Sequence, residues 1–317
     1  MSKKILANDG IDIAGQTLLE EAGYTVITDK VEQDKLAEYI NAEGIVGLTV
    51  RSATQVRESL IDACGGLKLI GRGGVGMDNI DVDYARSKGL EVINTPAASS
   101  HSVGELVFAH LFNTVRFLYD SNRQMPVNGE SEFAKLKKKY AKGIELKGKT
   151  LGIIGFGRIG QAVAKIALGC GMKVVAYDPF LKDASLTLDI IGVEQKVTVN
   201  IETIELNDLL GQSDFITLHV PGGKVITEKE FALMKDGVCL VNAARGGVID
   251  EADLIKALDS GKVGHAALDV FENEPKPNKD ILSHPKISLT PHIGAATGEA
   301  QTRIATELAS LIIAKLG

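Results

Sequence analysis

With 317 residues, 44% of them hydrophobic, the chain is long enough to bury two separate cores. Its 41 acidic and 35 basic side chains leave a net charge of −6, which argues against a nucleic acid or an anionic membrane as a partner for the whole surface. No apolar run is long enough to span a bilayer and nothing reads as a signal peptide. The three cysteines, Cys64, Cys170 and Cys239, are far apart and read as buried thiols of a reducing cytosol, so a cytoplasmic location is expected.

The N-terminal third alternates apolar strands with helical spacing. Lys3 to Ala7, Tyr24 to Thr28, Gly44 to Val50, Leu67 to Gly71 and Leu90 to Asn94 read as strands, and the helices between them predict a parallel sheet. Gly73-Gly74-Val75-Gly76 leaves the carboxyl end of one strand. It reads either as a flexible turn or as a concavity of backbone N–H groups that binds a carboxylate. Thr95-Pro96 breaks the pattern and marks a domain crossing. A helix apolar nearly all round is expected over Ser102 to Tyr119, to be covered by another domain or a second copy of the chain. The basic run from Lys135 to Lys142 reads as a solvated face, with a lysine lent to an anion site as the sharper alternative.

Leu151 to Asp178 carries the most specific pattern. An apolar strand enters a turn with Gly155, Gly157 and Gly160, an alanine-rich helix follows, and a second apolar strand ends in Asp178. The first glycine permits a tight turn, the second lets backbone approach a pyrophosphate, and the third lets helix and strand pack closely. Asp178 stands where a dinucleotide fold puts its ribose ligand, and a carboxylate there repels a 2′-phosphate, so NAD is expected rather than NADP.

Further strands end in Pro221, in Ala244-Arg245-Gly246, in Phe271-Glu272-Asn273-Glu274 and in Pro291-His292. Thr227 with Glu230 predicts a capping box and Asp250 a helix cap, while His219 and His265 read as structural. Arg245, Glu274 and His292 leave successive strands on the face where a doubly wound sheet presents ligands. These types suit the reduction of a 2-keto acid or its reverse. His292 can carry the proton, Glu274 can fix its tautomer, and Arg245 can bind the carboxylate and steady developing charge.

Five stretches, GRGGVGMDNID (71–81), GKTLGIIGFGRIGQAVA (148–164), LVNAARGGVIDEADLIKAL (240–258), ALDVFENEP (267–275) and LTPHIGAAT (289–297), resemble the D-isomer-specific 2-hydroxyacid dehydrogenases, and within them the D-3-phosphoglycerate dehydrogenases. The resemblance implies an α/β fold of two doubly wound parallel-sheet domains. A Rossmann NAD domain (98–290) would be inserted in a flavodoxin-like substrate domain (1–97 and 291–317), with a cleft between them and a homodimer built largely on the NAD domains. It implies Arg245, Glu274 and His292 as catalytic residues and Asp269 as a supporting carboxylate. Cofactor contacts are expected from Gly155, Gly157, Arg158, Ile159, Gly160, Asp178, Val220, Pro221, Ala243, Asp269 and Gly294. Substrate contacts are expected from Arg51, Ser52, Gly74 and Val75, with Arg51 meeting a phosphate. The expected reaction is NAD-dependent oxidation of D-3-phosphoglycerate in serine synthesis. The alternatives are a glyoxylate or hydroxypyruvate reductase and an NAD-sensing protein similar to the C-terminal binding protein corepressors. No metal is expected. The connection after Pro221 is shorter than the family's, and because the chain stops at Gly317 no C-terminal regulatory domain or feedback by serine is expected.

Overall fold

The computed structural model describes residues 2–189 and 191–317. It divides the chain into two compact units, one running to Ser100 and including Ala295–Gly317, the other His101–Gly294.

The first unit strings β1 (Lys4–Ala7), α1 (Ile13–Glu21), β2 (Thr25–Ile27), α2 (Leu36–Glu43), β3 (Ile45–Val50), α3 (Glu58–Ala63), β4 (Leu69–Arg72), α4 (Val82–Ser87) and β5 (Glu91–Asn94) into one sheet. Its order is β2-β1-β3-β4-β5 with every pairing parallel, the doubly wound order of flavodoxin-like sheets. Neighbouring residues of a strand face opposite ways, so both faces must be apolar. Leu6, Leu48 and Ile70 accordingly pack in one cluster. Ile5, Leu69 and Ile93 pack in the other with Leu308 and Ile312 of the C-terminal helix (Gly298–Leu316). That helix lies so close to α1 that a Cβ at Gly15 would stand 2.5 Å from the Ala305 carbonyl oxygen.

The second unit begins with α5 (Ser100–Val115), all but its first residue in this unit, and α6 (Leu118–Lys139). The helix expected to run to Tyr119 is broken earlier, where Phe117 takes a left-handed φ of 55°. Beyond it, β6 (Thr150–Ile154), α7 (Arg158–Gly169), β7 (Lys173–Tyr177), β8 (Asp183–Leu188), β9 (Val197–Glu202), α8 (Leu206–Gln212), β10 (Phe215–Leu218), α9 (Glu228–Leu233), β11 (Val238–Asn242), α10 (Glu251–Ser260), β12 (Val263–Leu268), α11 (Lys279–Ser283) and β13 (Ile287–Leu289) follow. Six of these strands form a parallel sheet in the order β13-β12-β11-β10-β6-β7. The chain order reverses between β6 and β10, and an open α/β sheet binds its ligand outside the carboxyl ends at such a point. β8 and β9 form an antiparallel hairpin, and Thr203 just beyond it bridges in parallel to Ala176 at the β7 edge.

The return crossing expected at 290/291 falls at 294/295. Residues 291–294 stay with the second unit because Asp269, at the end of β12, accepts the N–H groups of Ile293 and Gly294, and the Ser102 hydroxyl donates to the Gly294 carbonyl.

Candidate active site

The carboxyl end of β6 turns through Gly155, whose φ is 91° and whose Cβ would sit 2.5 Å from the His219 carbonyl oxygen. A Cβ at Gly160 would lie 2.2 Å from the Gly155 carbonyl, so only glycine lets α7 start this close to its strand. Gly157, by contrast, has nothing within 4 Å of its absent Cβ. Open space over the N-cap of α7, with no side chain capping the N–H groups of the first turn, suits a pyrophosphate. Packing keeps this helix in place. Burying a residue such as Val163, fully enclosed here, contributes ~1.5–3 kcal/mol, against ~1 kcal/mol lost for a glycine in place of alanine.

Asp178 ends β7 with both oxygens engaged. Oδ2 accepts the Phe156 N–H at 2.8 Å, and Oδ1 accepts those of Phe180 and Leu181 at 2.9 and 3.1 Å. The carboxylate is thereby locked beside the glycine turn, with about one lone-pair site left over, on Oδ2, for a hydroxyl. His219, Val220 and Pro221 leave β10, the other strand of the reversal. Burial pushes the His219 imidazole down to about 3, and its Nε2 lies 2.9 Å from the Thr217 hydroxyl, so it stays neutral. Gly222 and Gly223 both take positive φ, which lets this short connection turn back toward α9. The Glu230 carboxylate accepts the Thr227 N–H and the Thr227 side chain accepts the Glu230 N–H in return, the two halves of a capping box at the start of that helix.

The next three strands deliver the charged trio. Ala243 leads from β11 into a turn stapled by Asn242, whose Oδ1 accepts the Ala244 N–H and whose Nδ2 donates to the Arg245 carbonyl. Arg245 Nη1 donates to the Ala244 carbonyl at 2.7 Å. Glu274 is anchored through Oε1, which accepts the Phe271 N–H, while the buried Glu251 accepts that of Glu272. Its other oxygen lies 2.9 Å from His292 Nδ1. Since a carboxylate only accepts, Nδ1 carries the proton in this bond. Nε2, the remaining basic or acidic position, has no hydrogen-bond partner among the described residues, and the ring is 47% exposed. Asp269 fixes the turn behind His292 through the Ile293 and Gly294 N–H groups.

In the first unit, β3 and β4 pair Val50 with Arg72, so Arg51 follows one residue beyond Arg72's register partner at the carboxyl end of the sheet. Asp9 holds the Arg51 segment by accepting the N–H groups of Arg51 and Thr54. Burial acts to raise the Asp9 carboxyl, but hydrogen bonds from Lys30, Thr54 and those N–H groups outweigh it and hold it below the usual range. Ser52 follows in the exposed loop. Arg72 lies so tightly over Gly74 that a Cβ there would overlap its guanidinium, at 1.7 Å from Nη1. Of the two N–H groups expected to receive a carboxylate, that of Gly74 donates to the Arg72 carbonyl at 3.0 Å. The Val75 N–H has no partner among the described residues. Asn94 holds this turn by donating to the Val75 carbonyl.

Sequence reading missed Arg72, Asn242 and Glu251. Arg72 has a local signal in its place at a strand end beside the glycine run, whereas the other two act through partners that only the fold brings near. The lysine run lies exposed on the last turns of α6 and just beyond it, with Lys135 paired to Glu132 and Lys139 to Asp120. Among the described residues no cluster of His, Cys, Asp or Glu could hold a metal ion, and no helix is long and apolar enough to cross a membrane.

Residues 108–294 match the family described as D-isomer specific 2-hydroxyacid dehydrogenase, NAD binding domain. The chain is 42% identical to a hydroxypyruvate reductase of Thermotoga maritima, covering 99% of this chain and 98% of that one. It is 40% identical to a D-3-phosphoglycerate dehydrogenase of Methanocaldococcus jannaschii, covering 98% of this chain but only 56% of the relative's length. Among solved structures, a glyoxylate reductase of Paecilomyes thermophila superposes with a TM-score of 0.81 at 29% identity, covering 98% of this chain and 95% of that one.

Proposed function

Because the chain belongs to the D-isomer-specific 2-hydroxyacid dehydrogenase family, a class of NAD-dependent oxidoreductases, we propose that it interconverts D-3-phosphoglycerate and 3-phosphohydroxypyruvate. Bound NAD supplies the hydride acceptor or donor. His292 Nε2 takes the substrate hydroxyl proton in oxidation and returns it in reduction, while Glu274 keeps the other ring nitrogen protonated and balances the imidazolium. Arg245 binds the carboxylate and steadies charge on the reacting oxygen. The α7 N-terminus and Asp178 would hold the cofactor, with Arg158, Ile159, Val220, Pro221, Ala243, Asp269 and Gly294 as its further contacts.

What supports the phosphorylated substrate is Arg51, a guanidinium just past the carboxyl end of β3 on a segment that Asp9 fixes, with Arg72 ending the neighbouring strand β4. A second reading, hydroxypyruvate reduction, is favoured by the match to the Thermotoga maritima reductase over nearly its whole length. NADH-dependent rates with 3-phosphohydroxypyruvate, hydroxypyruvate and glyoxylate, each repeated with Arg51→Ala, separate the two. A preference for the phosphorylated acid that falls roughly 100-fold in the variant is expected, as for truncating a charged partner. Equal or faster reduction of the unphosphorylated acids moves the protein to the second reading.

Asp178→Ala is expected to raise the NADPH-to-NADH ratio of kcat/KM at least about tenfold, because a like charge facing the 2′-phosphate is removed. An unchanged ratio takes Asp178 out of cofactor discrimination. The chain would act as a homodimer in the cytoplasm. Phe112, Leu118, Tyr119, Val127 and Phe133 of α5 and α6 are between 43% and 78% exposed, a larger apolar display than a solvated helix pair sustains. Sedimentation should give twice the 33.7 kDa chain mass, and Val127→Asp with Phe133→Asp should shift it to the monomer. A monomer before substitution refutes the assembly.

A further inference from the structure

We propose that His110 is a positioning residue for His292, holding the turn that carries the acid and base through Thr290 and Asp269; this rests on the reading of His292 above. His110 lies in α5 and is 3% exposed. Its Nδ1 is 2.9 Å from the Ser288 hydroxyl and its Nε2 is 3.0 Å from the Thr290 hydroxyl, at the two ends of the segment that leads into His292. Thr290 Oγ1 is in turn 2.6 Å from Asp269 Oδ1, the oxygen that also accepts the Ile293 N–H at 2.8 Å. Oδ2 accepts the Gly294 N–H at 2.9 Å.

Counting donors and acceptors leaves one arrangement. Asp269 is 2% exposed and, ionised, can only accept, so the single Thr290 hydroxyl proton goes to it. The Thr290 oxygen can then only accept from His110, which puts a proton on Nε2. In the neutral ring Nδ1 is a lone pair and receives the Ser288 hydroxyl proton. Ser288 oxygen in its turn accepts Asn113 Nδ2 at 2.8 Å. The line Asn113 to Ser288 to His110 to Thr290 to Asp269 therefore runs in one direction with every link filled. Burial holds the His110 ring below the usual imidazole range although the Asp269 charge opposes it, in keeping with a neutral ring.

The turn needs such support. His292 takes a left-handed φ of 56°, a conformation that a side-chain-bearing residue adopts at a cost and keeps only where its surroundings impose it. Asp269 imposes it by gripping the next two peptide N–H groups, and the Thr290 hydroxyl fixes one of the gripping oxygens. His110 fixes that hydroxyl and ties it to a helix of the core, far from the turn in sequence. A buried line of this kind holds a catalytic ring more rigidly than the turn alone could.

The test uses the whole protein, NADH, and the fastest of the three keto acids named above. His110→Leu, close in volume but without donor or acceptor, is expected to lower kcat roughly 10- to 100-fold while the Kd for NADH stays within about twofold. His110→Gln, which keeps one donor and one acceptor, should restore kcat to within about threefold of the parent. Thr290→Val should cost about as much as His110→Leu, and the double variant no more than either alone. A His110→Leu enzyme of parental kcat, a glutamine variant as slow as the leucine one, or losses that multiply in the double variant would each overturn the proposal. Nitrogen-15 NMR of the unsubstituted protein reads the ring tautomer directly and does not depend on any variant's folding. The His110 ring should carry its proton on Nε2, and a proton on Nδ1 alone overturns the assignment. His292→Ala separates the two levels. Parental turnover in that variant sinks the reading of the site, whereas an inactive His292→Ala beside a fully active His110→Leu sinks only the role of His110.

Discussion

Replacing His292 with alanine is expected to lower kcat by roughly 10²- to 10⁴-fold, the usual contribution of a positioned acid and base, with NADH binding retained. The ring is accessible, its Nδ1 is committed to Glu274 at 2.9 Å, and its Nε2 has no partner among the described residues. Of the other imidazoles in the second unit, His101 pairs through Nε2 with Glu105 of its own helix, and His284 lies beside Asp259. Burial pushes His219 down to about 3 and lowers His110 and His265 as well. The glycine turn and Asp178 make no hydrogen bond to His292, so cofactor affinity should survive the change. Alanine at a φ of 56° adds backbone strain of its own, so His292→Gly is the partner variant. It should be as slow as alanine and should regain part of its rate when imidazole is added. A kcat within threefold of the parent in both variants would falsify the assignment of His292 as acid and base.

The parallel strands were readable because each is a short run of mostly apolar residues, most of them ended within a few residues by glycine or proline, and a strand buried on both faces leaves that signature. The charged trio was readable for a related reason: Arg245, Glu274 and His292 stand in the loops that leave three such runs at their carboxyl ends. The β8–β9 hairpin was not read, although Ala184, Leu186 and Leu188 alternate with polar residues, as do Val197, Val199 and Ile201. The alternation is short and lies where the pattern of strand and helix leads one to expect a helix. The break between α5 and α6 carries no glycine or proline and depends on Phe117 adopting a conformation rare for its type. Contacts between distant residues leave no local trace. His110 and Thr290 are 180 positions apart, and the pairing of Glu251 with the Glu272 N–H exists only once β12 lies beside β11. The Gly73–Gly76 run shows the limit in another way. Its composition suggested free N–H groups, but the bond from Gly74 to the Arg72 carbonyl depends on torsions that composition does not determine.

Those torsions and close approaches make Gly246→Ala the most damaging small substitution expected in this unit. Gly246 follows Arg245, and a Cβ on it would stand 1.9 Å from the Phe271 carbonyl oxygen, 2.4 Å from its carbon and 3.0 Å from the Glu272 nitrogen. All three are backbone atoms, so no rotamer change can make room. They are also tethered, since Glu251 holds the Glu272 N–H and Glu274 holds that of Phe271. The methyl group must therefore push apart the turn that carries Arg245 and the loop that carries Glu274. Overpacking of this kind costs about 3 kcal/mol at the upper end of its usual range, which in a unit of this size lowers Tm by roughly 6–12 °C. A displacement of the order of 1 Å between groups that must act together costs on the order of 100-fold in kcat/KM. Gly65→Ala is the control, because nothing lies within 4 Å of its absent Cβ, and it should leave both quantities unchanged. Were Gly246→Ala to melt early yet keep its kcat/KM, the strain would be released away from Arg245 and Glu274, and the spacing of those two residues would not be what limits the rate. Parental values of both would mean that the two loops separate freely, against the close backbone contact on which their placement depends.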